Sequence, residues 1–189
     1  MAGILTLTGS PITYTEVLTA SEVKTWLRVP DPSPSDAAFD LEIEALIQAA
    51  REQAEAHQNK DIVAKQWDLN LDAFPGGAIQ LREPLVSVES VSYKDSDGTT
   101  TTLTVNTDYI VDLKRSLIMP PYGESWPSFT AWPTSAVTVR FTSGTAPPKM
   151  IELGMFMLIE HWFTGKAQLG EVPVAILSMF RYGARETTF

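Results

Sequence analysis

The apolar residues of this chain change period twice, and no other feature constrains its fold as much. Between Ser35 and Gln58, the residues Phe39, Ile43, Leu46, Ile47, Ala50 and Ala54 recur at i, i+4 and i+7. They make one face of a helix, with Glu44, Gln48, Arg51, Glu52 and Glu55 opposite. From Ala64 to Phe141 the period is 2. Trp67/Leu69/Leu71, Ile79/Leu81, Val86/Val88, Val91/Tyr93, Leu103/Val105, Tyr109/Val111/Leu113 and Val137/Val139/Phe141 each read as the inner face of a half-buried strand. Lys149 to Thr164 returns to helix, apolar nearly all round. A pattern of one period does not settle into the other structure. The chain therefore predicts an α+β fold, a helical core of a short helix, a long helix and two C-terminal helices, with an antiparallel β meander inserted in it. The expected division is a flexible N-terminal arm over 1–17, core over 18–63, a β module over 64–145, core again over 146–183 and a tail over 184–189.

Local signals mark the joints. In "LTASEV", Thr19 and Glu22 have the spacing of a capping box, in which each side chain satisfies the other's free backbone N–H, and Leu18 can staple onto Val23. The helix they start runs to about Leu27, and the three prolines of "PDPSPSD" end it. The long helix then starts near Ser35 or Asp36. "KDSDGTTT" predicts a hairpin turn, with Gly98 free to take positive φ. Apolar parity switches between Val88 and Val91, so a bulge is expected at Glu89-Ser90. "MPPYGESWPSFTAWP" is an irregular loop too aromatic to be a spacer. Gly165 is suited to stop the penultimate helix, and Pro173 to start the last one.

Composition removes several classes of function. The net charge is -9, against a surface that grips phosphates or anionic lipid. With Cys 0, disulfides, thiolate metal sites and thiol catalysis are all absent. The N-terminal stretch lacks a basic start and a long apolar run, and "MIELGMFMLIEHWF" carries two Glu and a His and is too short to cross a bilayer. A soluble protein made inside the cell is expected, with no membrane partner.

Few residues offer chemistry. Asp68 and Asp72, beside Trp67, have the residue types of a glycosidase couple, but they share one outward strand parity instead of facing each other across a sugar bond. That favours a solvated strand face. His57 and the Glu160-His161 pair are the His-based candidates, without H-E-x-x-H spacing. Neither G-x-S-x-G nor a glycine-rich phosphate loop occurs, and Gly76-Gly77 reads as a turn. Trp126 and Trp132 suit stacking on sugars or bases, or capping of a core or interface. No catalytic, cofactor or metal residue is assigned, and no cofactor is expected.

The order of these pieces resembles the head-tail connector (adaptor, head-completion) proteins of tailed bacteriophages, in their longer form. The resemblance lies in "LTASEVKTWLRV", "LEIEALIQAAREQAE", "WDLNLDAFPGGAIQLREPLVSVESVSYKDSDG", "MIELGMFMLIEHWF" and "VPVAILSMFRYG", and spans most of Leu18 to Tyr182. The chain departs from the family where an Arg often follows the penultimate helix: here Phe163 leads into Thr164-Gly165-Lys166. Similar proteins occur in phage-derived gene transfer agents. The resemblance implies a structural protein of the virion neck, made in the bacterial cytoplasm, without enzymatic activity. It would form a homo-oligomeric ring, commonly of twelve subunits, between portal and tail, and extend the channel through which DNA passes without specific binding. It implies portal and subunit contacts from the C-terminal helices and tail, for which Phe156, His161, Trp162, Phe180, Arg181, Tyr182 and Phe189 are the candidates. The β module, with Trp126 and Trp132, would touch the stopper or tail proteins. Another neck ring (a stopper or tail terminator) is the neighbouring alternative, and a carbohydrate-binding β module on Asp68, Asp72, Trp126 and Trp132 the distant one.

Overall fold

The structure, a computed structural model, describes residues 3–8, 15–29, 37–165 and 172–182. In chain order the elements are β1 (Ile4–Leu7), α1 (Ala20–Leu27), α2 (Ala37–Gln58), β2 (Lys65–Leu71), β3 (Ile79–Gln80), β4 (Leu85–Lys94), β5 (Thr100–Leu103), β6 (Ile110–Asp112), β7 (Leu117–Met119), β8 (Val137–Ser143), α3 (Lys149–Phe163) and α4 (Val174–Tyr182). The fold is α+β with an antiparallel meander. The described residues fall into two compact units, one drawn from Met1–Tyr14 and Ala64–Thr145, the other from Thr15–Val63 and Ala146–Phe189. "PDPSPSD" and the start of the long helix lie outside the described residues.

The helical unit begins with the capping box. Thr19 N–H donates to Glu22 Oε2 at 2.8 Å, and Glu22 N–H donates to Thr19 Oγ1 at 3.3 Å. Leu18 and Val23 are both buried. α1 ends at Leu27, ahead of the prolines: Arg28 takes the left-handed conformation at φ 54, and Val29 N–H returns to Lys24 O at 3.1 Å. The apolar face of α2, with Ile43, Ile47, Ala50 and Ala54, packs with Ile151, Met155, Leu158 and Ile159 of α3 and Ile176 and Phe180 of α4. The covering that an all-round apolar α3 needs thus comes in large part from α1, α2 and α4 of its own chain. A Cβ on Gly154 would stand 2.8 Å from Phe180 Cε1, so this glycine lets α4 approach α3. Gly165, at φ 67, follows the end of α3, its N–H donating to Trp162 O.

Two residues expected on the polar face of α2 are in the interior. Arg51 is 1% and Glu55 4% exposed. Arg51 Nε donates to Glu16 Oε2 at 3.1 Å and Nη1 to Glu55 Oε2 at 2.8 Å, while Glu55 Oε1 accepts from Ile62 N–H at 3.1 Å. Helical periodicity counts a charge as outward. Here pairing and a backbone donor replace the lost water, which is the condition under which a charge stays buried.

In the β unit a five-stranded sheet has the order β1-β2-β8-β4-β5, and a smaller one β3-β7-β6; the strand pairs within them are antiparallel. The central β8 alternates as its sequence predicts, with Val137, Val139 and Phe141 fully buried. The hairpin after β4 closes on Asp95, whose Oδ1 accepts from the N–H of Asp97 and Thr99, with Gly98 at φ 85. Three expectations change. Ile4–Leu7, inside the expected flexible arm, is a strand on the edge of the sheet, paired with β2 from Ile4↔Asn70 to Leu7↔Trp67. β4 has two register shifts, one between Val88 and Ser90 as expected and a second between Leu85 and Ser87, so Leu85 is inside and Val86 exposed. Val105 and Leu113 are exposed because β5 ends at Leu103 and β6 at Asp112.

Replacing Arg51 takes a charged hydrogen-bond partner from the buried Glu55 carboxylate. Arg51→Met is expected to cost about 3–5 kcal/mol in denaturant unfolding, and adding Glu55→Gln should recover a clear part of it, because the amide still accepts from Ile62 N–H. Thr19→Ala should cost about 1 kcal/mol. The Thr19 backbone N–H, then its hydroxyl, hold the Glu22 carboxyl below its ordinary value. Its folded value is the lower one, so its contribution is present above the ordinary carboxylate range and is lost as pH falls through the lowered value. Melts of wild type and Thr19→Ala should therefore draw closer in acid, where the hydroxyl's bond to the Glu22 carboxylate is lost, while the share of the Glu22 N–H bond to Thr19 Oγ1 remains.

Candidate functional site

In the helical unit the candidate residues separate into core and surface. Trp162 and Phe180 are buried side chains of the unit's own core, which corrects their assignment to an outward interface; Phe180 of α4 lies against Gly154 of α3. Phe156 and His161 are half-buried, and Arg181 is exposed, its Nε donating to His57 Nε2 at 3.3 Å. Tyr182 is the last residue of α4. Phe189 and the 184–189 tail lie outside the described residues.

Phe156 belongs to a surface feature that periodicity did not single out. It stacks on Trp26 of α1, ring centroids 5.2 Å apart, and Trp26 Nε1 donates to Glu160 Oε2 at 3.0 Å. Trp26 stays 41% exposed. An open groove of about 870 Å³ runs beside the pair, with Glu22, Arg28 and Glu160 among its lining. The available signal was Trp26 three residues beyond buried Val23, too large for a short helix to cover.

In the β unit the loop aromatics part in the same way. Trp126 is buried, lies flat on Phe74 at 4.8 Å and 3°, and donates its Nε1–H to Gly77 O at 2.7 Å. Phe129 and Tyr93 meet edges of that stack. The Gly76-Gly77 corner is thus held by an indole that closes the core, not one that offers a sugar platform. Trp132 remains at the surface, with Lys94 Nζ 4.1 Å from its ring centroid. The two aspartates each have a partner of their own. Asp68 forms a forked pair with Arg140, Oδ1 to Nε and Oδ2 to Nη2, both at 2.8 Å. That bond holds the Arg140 guanidinium above its ordinary value. Asp72 Oδ1 accepts from Ser135 N–H at 3.0 Å. Both carboxylates fix strands and turns. Among the described residues no group of three or more His, Asp or Glu side chains is arranged to hold a metal, and no helix is long and apolar enough to cross a membrane.

No family model matches the chain, and no curated protein matches it. Solved structures do. A chain in the neck of an empty GTA particle, computed with C6 symmetry, is 19% identical with a TM-score of 0.71 and covers 98% of this chain and 97% of its own. A chain in the neck of a native GTA particle, computed with C12 symmetry, is 20% identical with a TM-score of 0.69, over 98% and 97%. A chain in the virion of a native gene transfer agent (GTA) particle is 17% identical with a TM-score of 0.68, again over 98% and 97%. The likeness is one of fold, and it takes in both units.

Asp68→Asn should cost no more than about 1 kcal/mol, as expected for a cross-strand ion pair at a wet face. Trp126→Ala should cost about 3–5 kcal/mol, whereas Trp126→Phe, which keeps the stack and loses the bond to Gly77 O, should cost about 0.5–1.5 kcal/mol. Thermal or urea melts check all three.

Proposed function

We propose that this chain is a structural neck protein of a gene transfer agent or tailed-phage particle, acting as the connector ring between portal and tail. The observation that carries this reading is the fold likeness, over nearly the whole of both chains, to chains in the neck of GTA particles. The order of helices and strands read from the sequence supports it independently. The C6 and C12 symmetries with which those necks were computed favour a closed ring of twelve copies, in which head-to-tail contacts repeat until they meet. A net charge of -9 suits a channel wall past which DNA slides, since like charge prevents sticking. The ring performs no reaction and needs no cofactor; the Asp68 and Asp72 carboxylates are bonded within the β unit.

The portal contact is assigned to the helical unit: Phe156 with Trp26, His161 and Arg181, together with the tail to Phe189. The β module, with Trp132 outward, faces the stopper or tail. Electron microscopy of particles carrying the protein tests the reading, and density for a ring of this fold between portal and tail is expected. Deleting 184–189 should leave the thermal midpoint unchanged and abolish recovery of the protein with portal-bearing capsids; undiminished recovery would overturn the docking assignment. Density one ring further from the portal would instead favour a stopper or tail terminator.

A further inference from the structure

Among the described residues both edges of the five-stranded sheet are bare: no strand pairs with the outer side of β1 or of β5. Neither strand has the charges that commonly guard an edge: no Asp, Glu, Lys or Arg occurs between Met1 and Thr15, or between Thr99 and Asn106. Ile4 is 64% and Leu7 46% exposed, and Thr100 to Thr102 are exposed too.

The ladders identify the free backbone groups. Thr8 N–H donates to Gln66 O, which makes Thr6/Asp68 and Ile4/Asn70 the bonded pairs of β1 and β2; the N–H and C=O of Leu5 and Leu7 therefore point away from β2. Asp95 N–H donates to Thr99 O, which makes Tyr93/Thr101 and Val91/Leu103 the bonded pairs of β4 and β5, so the groups of Thr100 and Thr102 point outward. Four antiparallel steps separate β1 from β5, so the two edges run in the same direction.

We infer that β1 of one copy and β5 of a second copy join edge to edge as a parallel pair. In this register Leu5 lies opposite the neighbour's Thr101 and Leu7 opposite its Leu103. Leu5 N–H donates to Thr100 O, Thr102 N–H to Leu5 O, and Leu7 N–H to Thr102 O. The pleat agrees. Leu5 stands in one row with Leu69, Val139, Val91 and Leu103, and Thr101 shares the face of Leu103 two residues away. An antiparallel meeting of the same two edges would set Leu5 opposite Thr100 or Thr102, whose side chains point to the other face. The register also accounts for Leu7, which lies on the core side opposite Trp67 yet is exposed: the neighbour's Leu103 would cover it. A β1-to-β1 contact would leave every β5 bare, whereas the head-to-tail contact covers both edges in each copy. The inference rests on the ring reading above and assigns its subunit contact.

The chain has no cysteine, so introduced thiols report on this contact alone. Strands paired about 4.8 Å apart lie within disulfide range. Particles carrying Leu5→Cys/Thr101→Cys, oxidised and run on a denaturing gel, should give a ladder from dimer upward, and either single variant only monomer. Dimers from Leu5→Cys alone would overturn the head-to-tail pairing, as would monomer alone from the double variant recovered in particles, while the ring reading would stand. Failure of the wild-type chain to enter particles would overturn both. A second variant avoids new side-chain bonds: Thr102→Pro removes only an outward N–H and so spares the internal ladder. It should keep the thermal midpoint and lower assembly about tenfold, the order expected from one backbone hydrogen bond. Wild-type assembly by this folded variant would overturn the pairing.

Discussion

The pairing of β2 with β8 is the contact on which the β unit depends. It joins segments separated by the whole meander, from Lys65↔Ser143 at one end to Leu71↔Val137 at the other. Once it forms, β8 lies between β2 and β4, the alternating side chains of all three share one core, and β1 and β5 are left as the outer strands. The entropy of closing so long a loop grows only slowly with its length. The pairing therefore tolerates the two bulges of β4, the second small sheet and the proline-rich loop that lie within it.

What could be read from the sequence was what obeys a single period or a local turn. The apolar face of α2, the Thr19/Glu22 capping box, the Asp95 to Thr99 hairpin and the Glu89 bulge are of this kind, because each is decided by residues within a few positions of one another. Four features escaped for physical reasons. An edge strand as short as Ile4–Leu7 has too few residues to display alternation. A second bulge hides Leu85 behind the more obvious Val86. Arg51 and Glu55 are buried because a third residue, Glu16, and a distant backbone N–H complete their bonding. Trp162 and Phe180 carry no mark that distinguishes a core between two helices from an interface between two chains.

The same reasoning explains why the conspicuous polar residues are poor guides to function here. Asp68, Asp72 and Asp95 look reactive in a list of residue types, yet each is bonded within the β unit, across strands or within a turn. The surface is left with features that recognise shape and partners: the Trp26–Phe156 stack in the helical unit, Trp132 under Lys94, and two uncharged strand edges. Such features suit the ring proposed above.

The Arg51 cluster has a consequence for how the chain is tethered. Glu16 comes just after the chain passes from its N-terminal segment into the helical unit, and Ile62 just before it leaves for the β unit. Both are bonded to the same few atoms: Glu16 to the guanidinium, Ile62 to the carboxylate which that guanidinium holds. Two of the three chain crossings are thus moored at one ionic knot in the C-terminal half of α2. A pull on either connecting segment would load that knot, whose grip is directional and short-ranged, together with the apolar packing of the buried Ile62 and Val63 side chains.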